Sequence, residues 1–297
     1  MTEQAQPLKT YRGNCHCAAY IFEVKLPEIK SAVQCNCVIC SKKGALWQVP
    51  AHDNLTFVKG DMDTLSSYSF GGKIMNHKFC PHCGTNLMCM GYMSPPKPGD
   101  ETPPQMIVNV RAIQNLNVWS LELRPIDGAA IPPTYEPPKF TGPEPSADIE
   151  GGKTYNGSCH CGVVKLALKT KPLDKDFDAN IAECNCSICG RLGCIWIYPN
   201  ADQVVFEGDE NLTIYKMGLG MYGKSFCKIC GVPIHNRPET LTEEQIAALP
   251  EEPRKWFTWG KNMSIINVRV LEGVDLKELN VKQMDGWNAA KQSYVNP

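Results

Sequence analysis

The chain has 297 residues, 43% of them hydrophobic and 21% charged, with a formal net charge of −1. That length predicts two domains, each large enough for its own core, and 30 basic against 31 acidic residues give no support to a nucleic-acid partner. There is no run of eighteen apolar residues to span a membrane and no apolar stretch near Met1 to act as a secretory signal, so a cytoplasmic or nuclear location is expected.

In such a reducing compartment sixteen cysteines read as metal ligands rather than disulfides. Fourteen of them fall into one pattern that occurs twice. It begins with Gly13-Asn14-Cys15-His16-Cys17, followed by a predicted strand over 19–24. A triplet comes next, Cys35, Cys37 and Cys40, then Gly44 and a strand over 45–49. A third strand, 55–58, runs into a turn at Lys59-Gly60-Asp61. Cys80 and Cys83 close the pattern, followed by Gly84, with Ile107 to Arg111 further on. The proline-rich stretch from Pro125 to Gly152 predicts an extended linker, either a tether or a strap docked through Tyr135 and Phe140.

The second copy repeats these features. Gly157-Ser158-Cys159-His160-Cys161 precedes a strand over 163–168. Cys184, Cys186 and Cys189 precede Gly193 and a strand over 194–198. The run Gln203–Phe206 leads into Glu207-Gly208-Asp209, and Cys227 and Cys230 precede Gly231. An insertion over 238–261 breaks the β pattern. It predicts a helix capped by Thr240 with Glu243 and stopped by Pro250, and it carries Trp256, Phe257 and Trp259, as a lid or as packing. The expected domains are 1–127, a linker over 128–152, and 153–297. The expected fold is mainly β: two tandem zinc-stapled domains of short antiparallel strands, with a short helical insertion in the second.

Four thiolates saturate a tetrahedral zinc, so Cys15, Cys17, Cys80 and Cys83 form one expected structural site, and Cys159, Cys161, Cys227 and Cys230 the other. Each triplet then offers three ligands and an open position: Cys35, Cys37 and Cys40 in the first copy, Cys184, Cys186 and Cys189 in the second. A zinc held by three thiolates is a weak activator of water but takes a soft sulfur ligand readily. The open sites therefore point to a thiol or thioether substrate. Cys89 and Cys194 lie outside the pattern, as buried thiols or as a fourth ligand. His16 and His160 read as hydrogen-bonding neighbours of the sulfurs. Lys42 and Arg191 are candidate contacts for a substrate carboxylate, or ordinary solvated charges. No general acid or base stands out; the tyrosines and the pairs Asn109/Arg111 and Asn267/Arg269 are the candidates.

These motifs resemble the glutathione-dependent formaldehyde-activating enzyme family, which includes centromere protein V-like proteins. The resemblance covers roughly residues 10–124 and 153–280. It implies a β-tent fold around a structural zinc, a functional zinc at the C-x-C-x-x-C triplet, glutathione as co-substrate or part of the substrate, and a carbon–sulfur lyase activity. The first copy departs from the pattern at Ala18 (Gly162 in the second) and at Lys42-Lys43 (Arg191-Leu192), so the second copy is expected to be the active one. The alternatives are a zinc-stapled scaffold for protein or chromatin, and a secondary-metabolite tailoring or detoxification enzyme using the same thiol chemistry. A monomer or homodimer is expected.

Overall fold

The computed structural model describes residues 6–97, 99, 101–289 and 294–297. The chain forms two compact units. The first comprises residues 1–135 together with 191–193 and 294–297, and the second comprises 136–190 and 194–293.

The first unit contains β1 (Lys9–Asn14), β2 (Ile21–Leu26), β3 (Ser31–Cys35), α1 (Val38–Lys42), β4 (Trp47–Gln48), β5 (Leu55–Lys59), β6 (Ser66–Tyr68), β7 (Met75–Phe79), β8 (Asn86–Gly91), β9 (Gln105–Asn109) and β10 (Glu122–Ile126). β1, β2 and β5 form a three-stranded sheet, and the other strands form a seven-stranded sheet in the order β10-β3-β4-β9-β8-β7-β6. The second unit repeats this plan with β11 (Lys153–Ser158), β12 (Lys165–Thr170), β13 (Ile181–Cys184), β14 (Ile195–Ile197), β15 (Val204–Glu207), β16 (Leu212–Lys216), β17 (Tyr222–Cys227), β18 (Pro233–Pro238), β19 (Ile265–Asn267) and β20 (Lys282–Met284). Its sheets are β11-β12-β15 and β16-β17-β18-β19-β14-β13-β20. Helix α2 (Cys189–Leu192) follows the second triplet, α3 (Glu243–Ala248) and α4 (Glu251–Gly260) fill the insertion, and α5 (Gly286–Ala289) follows β20.

Period-2 patterning accounts for the cores. On β2, Phe22, Val24 and Leu26 are buried while Glu23 and Lys25 are not. Burying a side chain such as Phe22 contributes roughly 1.5–3 kcal/mol. The motif glycine before each first cysteine is explained by close approach: a Cβ on Gly13 would lie 2.2 Å from the Phe22 ring.

The fold is mainly β, as the sequence predicts, with two departures. One pairing in each large sheet is parallel, β10 with β3 and β20 with β13, because the chain returns to the triplet strand only after building the rest of the sheet. The insertion carries two helices rather than one. Its cap is Thr242, whose hydroxyl accepts from the Gln245 N–H while the Gln245 side chain accepts from Thr242; Thr240 lies a half-turn too early. The proline-rich segment is ordered along much of its length. Residues 128–130 form a turn against the first triplet, and Thr141 bonds Glu207 within the second unit. Among the described residues no helix is long and apolar enough to cross a membrane.

Candidate metal centres

In each unit, a turn of the small sheet and a turn of the large sheet together gather four cysteines. Cys15 and Cys17 lie just after β1, and Cys80 and Cys83 lie between β7 and β8. Their four sulfurs sit within 4.8 Å of one another, and so do those of Cys159, Cys161, Cys227 and Cys230. Neighbouring sulfurs are 3.5–3.6 Å apart. A tetrahedral zinc with Zn–S bonds of about 2.3 Å needs an edge of about 3.8 Å, so the donor set fits a zinc in both number and spacing. Backbone N–H groups of Tyr20 and Val164 donate to Cys15 and Cys159. Gly84 and Gly231 adopt φ of 72° and 70°, the left-handed turn expected after each second C-x-x-C. Ala18 holds φ 58° where the second copy has Gly162 at 82°, a strain of about 1–2 kcal/mol that the first copy tolerates.

The triplets form separate three-sulfur clusters. Cys35, Cys37 and Cys40 lie within 4.8 Å of one another, as do Cys184, Cys186 and Cys189. The first sulfur ends a strand, the second sits at the helix entrance, and the third lies in the first turn. Among the described residues neither Cys89 nor Cys194 joins these clusters, and neither do His16 and His160. Cys194 is fully buried, and burial pushes the Cys89 thiol up while its sulfur meets His77 Nδ1 at 3.1 Å. His16 stacks on Tyr294, which belongs to the same unit.

Each triplet is braced by a device that spacing alone does not reveal. Asn36, between the first two cysteines, donates to Asp127 Oδ1 at 2.8 Å and accepts from the Ala129 N–H at 2.8 Å. Asn185 does the same with Asp285 and the Trp287 N–H. The glycine inside each Asp-Gly pair lies against the first sulfur: a Cβ on Gly128 would be 2.3 Å from Cys35 Sγ, and one on Gly286 would be 2.4 Å from Cys184 Sγ. Trp47 and Trp196 donate their indole N–H to the third sulfurs, Cys40 and Cys189, at 3.4 and 3.3 Å. These partners orient ligands and tune a metal site. The signal was present in the sequence: Asp127-Gly128 and Asp285-Gly286 are offset by 158 residues, as are Asn109 and Asn267.

Hydrogen bonding within each triplet favours the anion at one sulfur and pushes the other two thiols up. Cys35 is pulled down to about 3 by hydrogen bonds from the Cys37 and Cys40 thiols and from the backbone of Cys37 and Gly128. Cys189 lies well below the usual thiol range, with the Cys184 and Cys186 thiols as the main cause and Lys224 and Trp196 adding to it.

The surroundings of the two triplets differ along one row of the large sheet. In the second unit Lys224 faces Asn236, which faces Ile265, and Tyr198 follows β14 beside them. In the first unit the same row reads His77, Cys89, Ile107, with Val49 in place of Tyr198. Lys224 is 7% exposed, with its ammonium 4.5 Å from the Trp196 ring centroid. Burial alone would lower its pKa; the neighbouring sulfurs, Cys189 first among them, outweigh this and raise it. Burial and the same triplet's charge both push the Tyr198 phenol up, so it keeps its proton at neutral pH.

The two expected substrate contacts and two of the acid–base candidates are buried. Arg191 and Lys42 are neither solvated nor open to a ligand, at 6% and 5% exposure. The Arg191 guanidinium, which groups with the first unit, donates to Asn14 O, Asn14 Oδ1 and Asn296 Oδ1 and lies over the Tyr294 ring. Asn109 and Asn267 are fully buried latches: each carbonyl accepts from two backbone N–H groups, and each amide donates to the strand beside it. Their hydrogen bonds are spent on the backbone, which removes them as acid–base candidates.

Together the duplicated β plan and its four- and three-sulfur clusters define a tandem protein with cysteine centres fit for zinc. The sequence matches the glutathione-dependent formaldehyde-activating enzyme family (GFA) over residues 10–121 and 154–250, and the chain belongs to that family. A solved structure of a Rhodobacter sphaeroides protein is 26% identical over 43% of this chain and 99% of its own, with a TM-score of 0.33.

Proposed function

We propose that the chain is a zinc-dependent carbon–sulfur lyase acting on a glutathione adduct, a hemithioacetal or the conjugate of another electrophile, with the second triplet as its working site. The observation that carries this reading is a three-sulfur cluster that no fourth ligand joins among the described residues, in a unit that also holds a four-sulfur one. Zinc bound there would take up the substrate sulfur and stabilise it as a thiolate.

The chain's own residues supply the rest. Cys184, Cys186 and Cys189 hold the metal, and Gly286 keeps the face of Cys184 free of side-chain atoms. The indole N–H of Trp196 fixes the direction of Cys189. Lys224 offsets part of the negative charge of three thiolates and an incoming fourth. Tyr198 holds a proton beside the cluster. When a hemithioacetal breaks, the carbon–sulfur electron pair goes to sulfur, the hydroxyl proton passes to solvent and a carbonyl forms. In the reverse direction the Tyr198 O–H can protonate the carbonyl oxygen as sulfur adds, and the phenolate regains a proton from solvent. The first triplet, Cys35, Cys37 and Cys40, lacks a tyrosine at Val49 and is assigned metal binding without this proton donor.

Metal analysis combined with glutathione binding tests the reading. The wild type should hold about four zinc ions per chain, given four clusters. Cys186→Ser and Cys37→Ser should each remove about one. Only Cys186→Ser should abolish glutathione-adduct turnover. Equal loss from both variants would sink the single-site assignment. Two zinc ions, unaffected by either variant and with no glutathione binding, would instead indicate a scaffold.

A further inference from the structure

Two insertions distinguish the second copy from the first, and they line the same cleft. Residues 171–180 join β12 to β13, where the first copy has only 27–30 between β2 and β3. Residues 239–264 carry α3 and α4 between β18 and β19, where the first copy has 92–104. A cleft of about 350 Å³ in the second unit takes Phe177 and Ala179 from the first insertion and Trp259 from the second. Ile149 closes one side, and Tyr198 and Pro199 form the wall where β14 ends.

Tyr198 connects this cleft to the chemistry. Its ring packs on Trp259 with centroids 5.4 Å apart, and it lies two residues beyond Trp196, whose indole N–H donates to Cys189 at 3.3 Å. The corresponding position in the first copy, Val49, is 51% exposed. α4 is anchored by Phe257, which is buried against Tyr222, so Trp259 is presented from a fixed helix while remaining 46% exposed. The charged groups of the cleft, Lys171 and Asp178, pair with each other at 3.4 Å. Gln203 is committed at both ends, to Lys169 O and the Asn200 N–H. What is left for a ligand is mostly apolar and aromatic surface. Its volume lies at the lower end of the roughly 300–1,000 Å³ typical of small-molecule pockets, far more than a one-carbon group needs.

We propose that this cleft binds the carbon skeleton of the substrate: an uncharged, apolar group of about two fused rings, attached to the sulfur held at the second triplet. The proposal rests on the lyase reading above and names the class of electrophile that reading leaves open. Formaldehyde-sized groups would leave the cleft unused.

The test titrates the zinc-loaded full chain with glutathione, S-methylglutathione and S-(1-naphthylmethyl)glutathione by calorimetry. The naphthylmethyl conjugate should bind about tenfold or more tighter than the methyl one, through apolar burial. Trp259→Ala and the cleft-filling Ala179→Trp should each cut that gain to under about threefold and leave glutathione itself unaffected; both positions are exposed enough to spare the fold. 2-Naphthol alone should bind the wild type and fail to bind Ala179→Trp. A naphthyl gain that is absent, or that survives both variants, overturns the cleft assignment while glutathione binding still depends on Cys186. Glutathione binding that is absent or indifferent to Cys186→Ser overturns the lyase reading and this proposal with it, even if 2-naphthol still binds.

Discussion

Replacing Gly286 with alanine adds one methyl group at the most sensitive point of the second triplet. The added Cβ would stand 2.4 Å from Cys184 Sγ and 3.0 Å from Cys186 Cβ. Unstrained heavy-atom contacts lie at about 3.5–4.0 Å, so the sulfur or the start of α5 must retreat by more than about 1 Å. The backbone of Gly286 is not left-handed, and alanine is the better helix former by about 1 kcal/mol. Any loss therefore comes from the sulfur contact and not from the backbone. Overpacking of this kind costs about 1–3 kcal/mol, and disturbing the shell around a metal ligand weakens binding about 10–100-fold. The assay is cobalt substitution with chelator competition, read by the sulfur-to-cobalt absorption bands and by metal per chain. Gly286→Ala should lose the weakest-held metal first, with that affinity down about 10–100-fold and turnover down on the order of 100-fold. Gly128→Ala should produce the same metal loss at the first triplet, where the clash is with Cys35 at 2.3 Å, and spare turnover. Unchanged cobalt spectra and full metal content in Gly286→Ala would refute the argument that this glycine exists to admit the sulfur.

Two further outcomes follow from buried charge. Lys224→Met should weaken thiol binding at the second triplet by roughly tenfold, since a nearby opposite charge shifts a thiolate by one or more pKa units; the cobalt spectrum titrated with glutathione checks it, and Lys224→Arg should recover part of the loss. His235 is buried against Ser225 and Phe206, and desolvation, followed by the charges of Arg237 and Lys224, lowers its pKa from 6.5 to about 4. The unfolded chain then binds more protons between these values, so stability is complete above pH 6.5 and declines by at most about 3 kcal/mol as pH falls to 4. His235→Met, which installs the first copy's Met88, should flatten that part of a denaturation-versus-pH curve; an unchanged slope would show that His235 is not its source.

The cysteine clusters were legible because ligand chemistry leaves marks at short range: C-x-C, C-x-x-C and the glycine that turns after them. The duplication was legible for the same reason, each mark occurring twice. The Asp-Gly clamps escaped because they reach Asn36 and Asn185 from about a hundred residues away, through a parallel strand pairing that no local pattern predicts. Lys42 and Arg191 were misread because a charge next to a ligand motif looks the same in sequence whether it is solvated or buried. Arg191 is satisfied by Asn14 and Asn296, neither close to it in sequence. Thr240 and Thr242 offer capping-box spacings two residues apart, and local propensity alone does not choose between them.

The comparison of the two triplets gives a physical reason for keeping both copies. The four-sulfur clusters and the clamps are the same in each, so both units can hold metal and neither depends on the row that differs. That row has been free to change. In the first unit it became His77 bonded to Cys89, with the buried ammonium of Lys43 close enough to act on that thiol. In the second it became Lys224 and Asn236, with Tyr198 at its end and two insertions that extend outward from Tyr198. Both units therefore hold a buried ammonium, and the second adds a phenol that keeps its proton and an apolar cleft. Those two additions are the features on which the proposed single-site activity rests.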